Sequence, residues 1–344
     1  MPEYTALVSR EIKRKVNVSM KTVFIVNPKA GKGKKIDRLI KSIEEAVLSA
    51  KSDAEIYITK CVGDAKHFVS EFCKGNGPAR FIACGGDGTL CEVTSGAAGC
   101  VGAEIGVVPM GTGNDFCRNF GDGFDFSDIE SQIVGGTQKC DVIRYSTIFG
   151  GVKKEGYCVN MINIGFDCNV ADMTTRMKKK PFIAGSLAYF LSILVTMIKK
   201  KGAELSIVID GEAVHDGKLL LTSVANGCFC GGGIKSNPVA CVSDGVMNVN
   251  IIKNIKRRHF IPLLPHYMKG TILDVKNIDR FLINRDCQKL IIKPKGGRMR
   301  LCVDGEITDA GDTTLEVIPD AFNFVCLAGC SESKVCFGER TENL

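Results

Sequence analysis

Two loops of this sequence place glycine, a hydroxyl and an acid in the order that phosphate and divalent cations require. Gly85-Gly86-Asp87-Gly88-Thr89 follows an apolar run at 80–84 and leads into a helix-like stretch. Glycines at that point let backbone N–H groups approach phosphate oxygens, and a helix N-terminus favours negative charge. An acid there is repelled by phosphate unless a cation lies between them, so Asp87 implies a magnesium ion or its water shell. Thr89 can donate to a phosphate. The bland alternative is a glycine turn with a helix cap. A second loop, Pro109-Met110-Gly111-Thr112-Gly113-Asn114-Asp115-Phe116, follows the run 104–108. A third, Asn27-Pro28-Lys29-Ala30-Gly31-Lys32-Gly33, ends the run 21–27. It does not meet G-x-x-x-x-G-K-[ST], and no G-x-G-x-x-G follows the first strand. That argues against a P-loop NTPase and against an NAD-dependent dehydrogenase.

Further on stands Asp304-Gly305-Glu306. In an extended segment, residues i and i+2 point to the same side, so both carboxylates would face one cleft. One would then hold a metal while the other accepts a proton. The alternative is a hairpin turn with exposed acids, since Asp-Gly is a common turn dipeptide.

The elements that must position these loops alternate strand and helix. Strands are expected at 21–27, 54–60, 80–84 and 104–108. Helices are expected at 35–50, 64–74 and 90–98, the first with Ile36, Leu39, Ile40, Ile43, Ala46 and Val47 at helical spacing. This order predicts a mostly parallel sheet covered on both faces, with the ligand crevice at the carboxyl ends of the strands. Past about residue 137 strand-like runs dominate, among them 141–148, 157–164, 218–225, 314–318 and 322–326. That is a sandwich or barrel pattern, interrupted by helical insertions near 166–200 and 257–269.

The expected organisation is an α/β nucleotide-binding domain over 21–137 and an all-β sandwich with helical insertions over 138–318. The last strands, about 319–330, could return to the first domain, and 1–20 and 331–344 read as terminal extensions.

The chain has 344 residues and a formal net charge of +7. The excess lies wholly beyond residue 137, which suggests an acidic partner there, such as a phosphorylated substrate or an anionic membrane. Basic clusters at 176–180, 199–201 and 253–258, and Arg298 with Arg300, are the candidate faces. The 17 cysteines include no Cys-x-x-Cys pair and meet only 4 histidines, so free thiols in a reducing cytosol are expected and a zinc site is not. Residues 1–20 lack the apolar run of a secretory signal. Residues 181–198 are uncharged and read as a buried helix ahead of a membrane-contacting one or a span.

Together, Asn27-Pro28-x-Ala30-Gly31, Gly85-Gly86-Asp87-Gly88-Thr89 and Pro109-x-Gly111-Thr112-Gly113-Asn114-Asp115-Phe116 resemble the diacylglycerol kinase catalytic family. That family includes soluble bacterial lipid kinases and the sphingosine and ceramide kinases. The likeness continues through Asn163-Ile164-Gly165, Val224-Ala225-Asn226-Gly227, Ser243-Asp244-Gly245 and Val303-Asp304-Gly305-Glu306, and covers roughly 21–328. It implies a phosphofructokinase- or NAD-kinase-like nucleotide domain and a sandwich domain, with a cleft between them. It implies magnesium-dependent transfer of the ATP γ-phosphate to a lipid hydroxyl, diacylglycerol first. Another lipid alcohol, or an inactive lipid-binding regulator, remains the alternative.

On this resemblance Asn27, Gly31, Thr59, Gly85, Gly86, Asp87, Gly88, Thr89, Gly111, Thr112 and Asn114 bind ATP. Glu306 holds the catalytic magnesium, and Asp304 is the favoured general base, with Asp87 as rival. Asp115 and Asp141 join the magnesium network, and Asp244 matches a second, structural magnesium site. Ser243 stands where relatives often carry an acid, which puts that second metal in question. The implied partner is a lipid at a membrane surface, with no nucleic acid and with a homodimer left open. The implied location is cytoplasmic with reversible membrane association.

Overall fold

The computed structural model describes residues 20–33, 36–121, 124–165 and 202–327. The first strands β1 (Thr22–Val26), β2 (Ala54–Ile58), β3 (Arg80–Gly85) and β4 (Glu104–Pro109) pair in parallel in the order β4-β3-β1-β2. Helices α1 (Ile36–Ala50), α2 (Asp64–Asn76) and α3 (Asp87–Ala97) connect them. Because β2 and β3 lie on opposite sides of β1, the winding reverses between β1 and β3. A crevice opens at such a reversal, beyond the carboxyl ends of the strands.

The apolar stripes explain the layers. Ile43 of α1 packs with Phe24, Val26, Ile82 and Val108 on one face of the sheet. Ala65 and Val69 of α2 and Leu90 and Val93 of α3 pack with Val23, Ile25, Phe81 and Ile105 on the other. Beside the sheet, α4 (Ile129–Val134) is closed by Arg80. Its guanidinium donates to the carbonyls of Gln132, Ile133 and Gly135 and pairs with Glu104.

The second half is antiparallel. Strands β5 (Gly136–Phe149), β6 (Val152–Cys158), β7 (Met161–Gly165), β8 (Ala203–Ile209), β9 (Glu212–Ala225) and β10 (Met247–Lys253) are followed by helix α5 (Arg257–Lys269). Then come β11 (Leu282–Cys287), β12 (Lys289–Pro294), β13 (Met299–Val303), β14 (Glu306–Ala310) and β15 (Asp312–Leu327). Ile162, Ile164, Leu205, Ile207, Val249, Ile251, Leu290 and Leu301 form the core of this sandwich.

Three elements differ from the sequence reading. The run 157–164 is two strands, β6 and β7, parted at Val159 and Asn160. The runs 314–318 and 322–326 are one strand, β15, whose register shifts between Ile318 and Phe322, where Pro319 and a positive-φ Asp320 bend it. Helix α3 starts at Asp87, so the acid stands in its first turn, a favourable place for negative charge.

Past its bend, β15 lies parallel to β4 through Asn323 and Phe324. Phe324 is fully buried and meets Phe116, Phe120 and Phe126 at centroid distances of 4.9, 4.9 and 5.7 Å. The last part of β15 is thereby packed under the second glycine loop.

The apolar segment 181–198 and the basic clusters 176–180 and 199–201 lie outside the described residues. Among the described residues no helix is long and apolar enough to cross a membrane. Thirteen cysteines there are free, whereas Cys241 is disulfide-bonded, so free thiols throughout is not what the structure gives.

Candidate active site

Asn27 follows β1, and its amide donates to Thr89 Oγ1 at 3.1 Å, joining the loop after β1 to the loop after β3. Its Oδ1 accepts from the Lys29 N–H, which turns the chain towards Gly31. Thr59, buried at the end of β2, donates its hydroxyl to the Val26 carbonyl and steadies the same strand end. The loops after β3 and β4 touch. A Cβ placed on Gly111 would stand 2.8 Å from the Gly86 Cα and 2.8 Å from Asn114 Oδ1. Only two glycines permit this approach, and the resulting surface is bare backbone that phosphate oxygens can reach. Asn114 adopts φ 52°, and its Oδ1 is buried without a protein partner. A buried acceptor left unpaired is costly, so it is suited to receive a donor from a ligand. Thr112 is exposed at the loop tip.

Asp87 ties the two loops together. Its carboxylate accepts from the N–H groups of Asn114 at 2.8 Å, Asp115 at 2.7 Å and Phe116 at 3.4 Å. Asp115 in turn accepts from Gly232 N–H at 2.9 Å and Gly233 N–H at 2.7 Å, with Arg118 Nε at 3.6 Å. The Gly231-Gly232-Gly233 run was visible in the sequence, but its contact spans over a hundred positions and no local pattern announces it.

Burial, with the Asp115 charge second, pushes Asp87 up to about 6. Burial pushes Asp115 up as well, and the Gly232 and Gly233 N–H groups and then Arg118 offset part of this. The sign follows for stability. Folded Asp87 keeps its proton to higher pH than the unfolded residue, whose usual value is 3.8. Its contribution is neutral below about pH 4, turns unfavourable as pH rises towards 6, and is level above that. The change is at most about 3 kcal/mol. Urea midpoints of the wild type relative to Asp87→Ala are expected to decline between about pH 4 and 6. A difference that does not vary with pH would contradict this.

The Asp304-Gly305-Glu306 segment is not extended. Asp304 and Gly305, with φ 45° and 91°, form the two-residue turn between β13 and β14, and Val303 pairs with Glu306. Asp-Gly tolerates these positive φ values, so turn chemistry prevails over the expected same-side arrangement. Asp304 is nevertheless drawn inward. Its Oδ1 accepts from Asn160 N–H at 3.0 Å, Met161 N–H at 3.0 Å and the Cys158 thiol at 3.1 Å. Its Oδ2 accepts from Val159 N–H at 2.8 Å. The break between β6 and β7 supplies these donors. Burial, and after it the Asp304 charge, push the Cys158 thiol well up, so it stays a donor. Cys91, one turn along α3 from Asp87, lies within hydrogen-bonding reach of Asp304 and is pushed up by the same causes. Asp304 therefore borders the helix that Asp87 begins. Neither cysteine was singled out from the sequence, since nothing in its spacing marks it.

Glu306 is exposed beside that turn. Asp141 lies elsewhere in the packing. It is buried in β5, and its carboxylate accepts from Gly245 N–H at 2.7 Å and Asp320 N–H at 2.9 Å, holding the loop before β10 and the bend of β15. Asp244 accepts from its own Val246 N–H, and Ser243 from the Gln138 amide. The five acids Asp87, Asp115, Asp141, Asp244 and Glu306 are thus spread over three places. Among the described residues no three His, Cys, Asp or Glu side chains are grouped to hold a metal. This fits magnesium bound mainly by phosphates and water, which needs only one or two carboxylates. It does not supply an all-protein cage at Asp244.

The glycine cradle at the winding reversal and the inward Asp304 define a phosphotransferase-like cleft, and comparison with known proteins gives the class. The diacylglycerol kinase catalytic domain matches residues 21–145, and the YegS C-terminal NAD kinase beta sandwich-like domain matches 160–326. The chain is 26% identical over 264 residues to a diacylglycerol kinase of Mycobacterium tuberculosis, covering 75% of this chain and 81% of that one. It is 30% identical over 228 residues to the probable lipid kinase YegS of Escherichia coli, covering 64% and 71%. A crystal structure of a diacylglycerol kinase from Bacillus anthracis shares the fold, with TM-score 0.65 and 20% identity over 89% of this chain and 96% of that chain. The chain belongs to the diacylglycerol kinase catalytic family. It is a kinase, an enzyme of a class that uses a nucleotide as donor.

Proposed function

We propose that this kinase transfers the γ-phosphate of ATP, with magnesium, to a lipid hydroxyl, and that diacylglycerol is the acceptor. The observation that carries this is the meeting of the three loops after β1, β3 and β4 beside the Asp304 turn. The names of the relatives favour diacylglycerol among lipid alcohols. Gly31, Gly86, Gly88, Gly111 and Thr112 leave backbone open to the phosphates; Gly85 is buried at the end of β3 and makes room for Thr89, which Asn27 hydrogen-bonds. Asp87 and Glu306 are the carboxylates that would hold the metal, which when bound neutralises charge developing on the transferred group. Asp115 fixes the Gly232–Gly233 loop of the second domain against the cradle. Asp304 Oδ2, which accepts from Val159 N–H, is the oxygen that would take the proton of an acceptor hydroxyl.

Removal of divalent metal by chelation is expected to stop phosphorylation of diacylglycerol in mixed micelles, and added magnesium to restore it. Turnover that persists in chelator would remove the metal from this reading. Absence of phosphatidic acid under all conditions would remove diacylglycerol.

A further inference from the structure

Residues 245–273 contain no Asp or Glu, yet include Lys253, Lys256, Arg257, Arg258 and Lys269. Helix α5 lies within this stretch. Phe260, Leu263 and Tyr267 bury its inner face against Leu220, Leu221 and Ile234. At 100° per residue, Arg257, Arg258, Ile261, Pro262, Pro265 and Lys269 fall within one arc of about 140° on the opposite side. All six are exposed, Ile261 by 51%. Among the described residues Lys256, Arg258 and Lys269 have no ion pair with an acid; the next acids, Asp274 and Asp279, follow the helix.

Helix stability does not account for this composition. Cations in the first turn oppose the helix dipole, and two prolines inside the helix remove hydrogen bonds. An apolar strip set among cations, with no acid on the helix, is the composition of a helix that lies on an anionic lipid surface. Its position suits that use. Lys235 N–H donates to the Met268 carbonyl at 3.1 Å, and Gly232 and Gly233, just before it, hold Asp115. One short loop thus joins α5 to the glycine cradle.

We propose that the outer face of α5 docks this enzyme on anionic phospholipid, with Ile261 and the prolines in the headgroup layer and the cations against lipid phosphates. Docking through α5 presents the cleft to an acceptor that stays in the bilayer. Its use by the enzyme rests on the lipid-kinase reading, whereas the docking itself does not.

The test is flotation of the full chain with vesicles of phosphatidylcholine alone or with about a third phosphatidylglycerol. It compares wild type, Lys256→Glu/Arg258→Glu/Lys269→Glu and Ile261→Asp. Wild type should float with the anionic vesicles at low salt and be released at high salt, because surface attraction is screened. The triple variant should bind at least about ten-fold more weakly, since each cation near such a surface contributes measurably. Ile261→Asp, at a side chain already half exposed, should weaken binding as well and serves if the triple variant does not fold. Activity on a short-chain acceptor dispersed in detergent should stay at the wild-type level in folded variants, while activity on vesicles falls. Equal flotation of wild type and variants overturns the proposal. So does wild-type binding that is indifferent to phosphatidylglycerol, or a preference for an RNA oligonucleotide over the vesicles. If the variants lose vesicle binding but wild type phosphorylates no lipid, the docking face stands and the lipid-kinase reading fails.

Discussion

Asp304→Asn is expected to lower lipid phosphorylation by about 10²–10⁴-fold, the range that a positioned general base contributes, while ATP affinity changes little. The carboxylate lies at the β13–β14 turn, outside the three phosphate loops, so nucleotide contacts are preserved. An amide nitrogen in place of Oδ2 would face the Val159 N–H, donor against donor, at a cost of about 1–3 kcal/mol. The melting temperature should therefore fall modestly beside the loss of turnover. Single-turnover transfer and fluorescent-nucleotide titration separate the two effects. Near-normal turnover in a folded Asp304→Asn would reassign the base, with Asp87 next in line.

Gly111→Ala is expected to weaken nucleotide binding by about ten-fold or more and to cost about 1–3 kcal/mol of stability. The added methyl would stand 2.8 Å from the Gly86 Cα, a backbone atom with no side chain to swing aside, so the two loops must part. Parting them strains the Met110 N–H to Gly85 carbonyl bond of 2.7 Å and the Asp87 bonds to residues 114–116. Gly75→Ala in α2 meets nothing within 4 Å and serves as the control, with stability unchanged or slightly higher. Titration with a fluorescent ATP analogue and thermal melts check both. Wild-type affinity in Gly111→Ala would show that the loop approach does not shape the nucleotide site.

The parallel sheet and its phosphate loops were legible in the sequence because their signals are local. Strand, glycine loop and helix follow one another within about twenty residues, and the apolar stripes of α1 and α3 declare their buried faces. Helix α5, Arg257–Lys269, coincides with the helical insertion expected near 257–269. The run 157–164 misled because both halves are apolar, and only the Asp304 carboxylate, far along the chain, gives the break at Val159–Asn160 a purpose. The Asp-Gly-Glu acids misled in the opposite way. Their spacing suits an extended strand, but the turn preference of Asp-Gly is stronger than the alternation rule. Asp115 and Asp141 looked alike as loop and strand-end acids. One meets glycine N–H groups beside the cradle, while the other meets those of Gly245 and Asp320. Such partners are set by tertiary packing, which no spacing along the chain encodes.

The most direct test of the central claim is transfer of labelled γ-phosphate from ATP to a panel of lipid alcohols in mixed micelles with magnesium. The panel should hold diacylglycerol, phosphatidylglycerol, a sphingoid base, ceramide and a polyprenol, with Asp304→Asn alongside. Labelled phosphatidic acid as the main product, lost in the variant, is the expected result. No labelled lipid from any acceptor, with ATP bound normally, would contradict the assignment of a lipid hydroxyl as the phosphate acceptor.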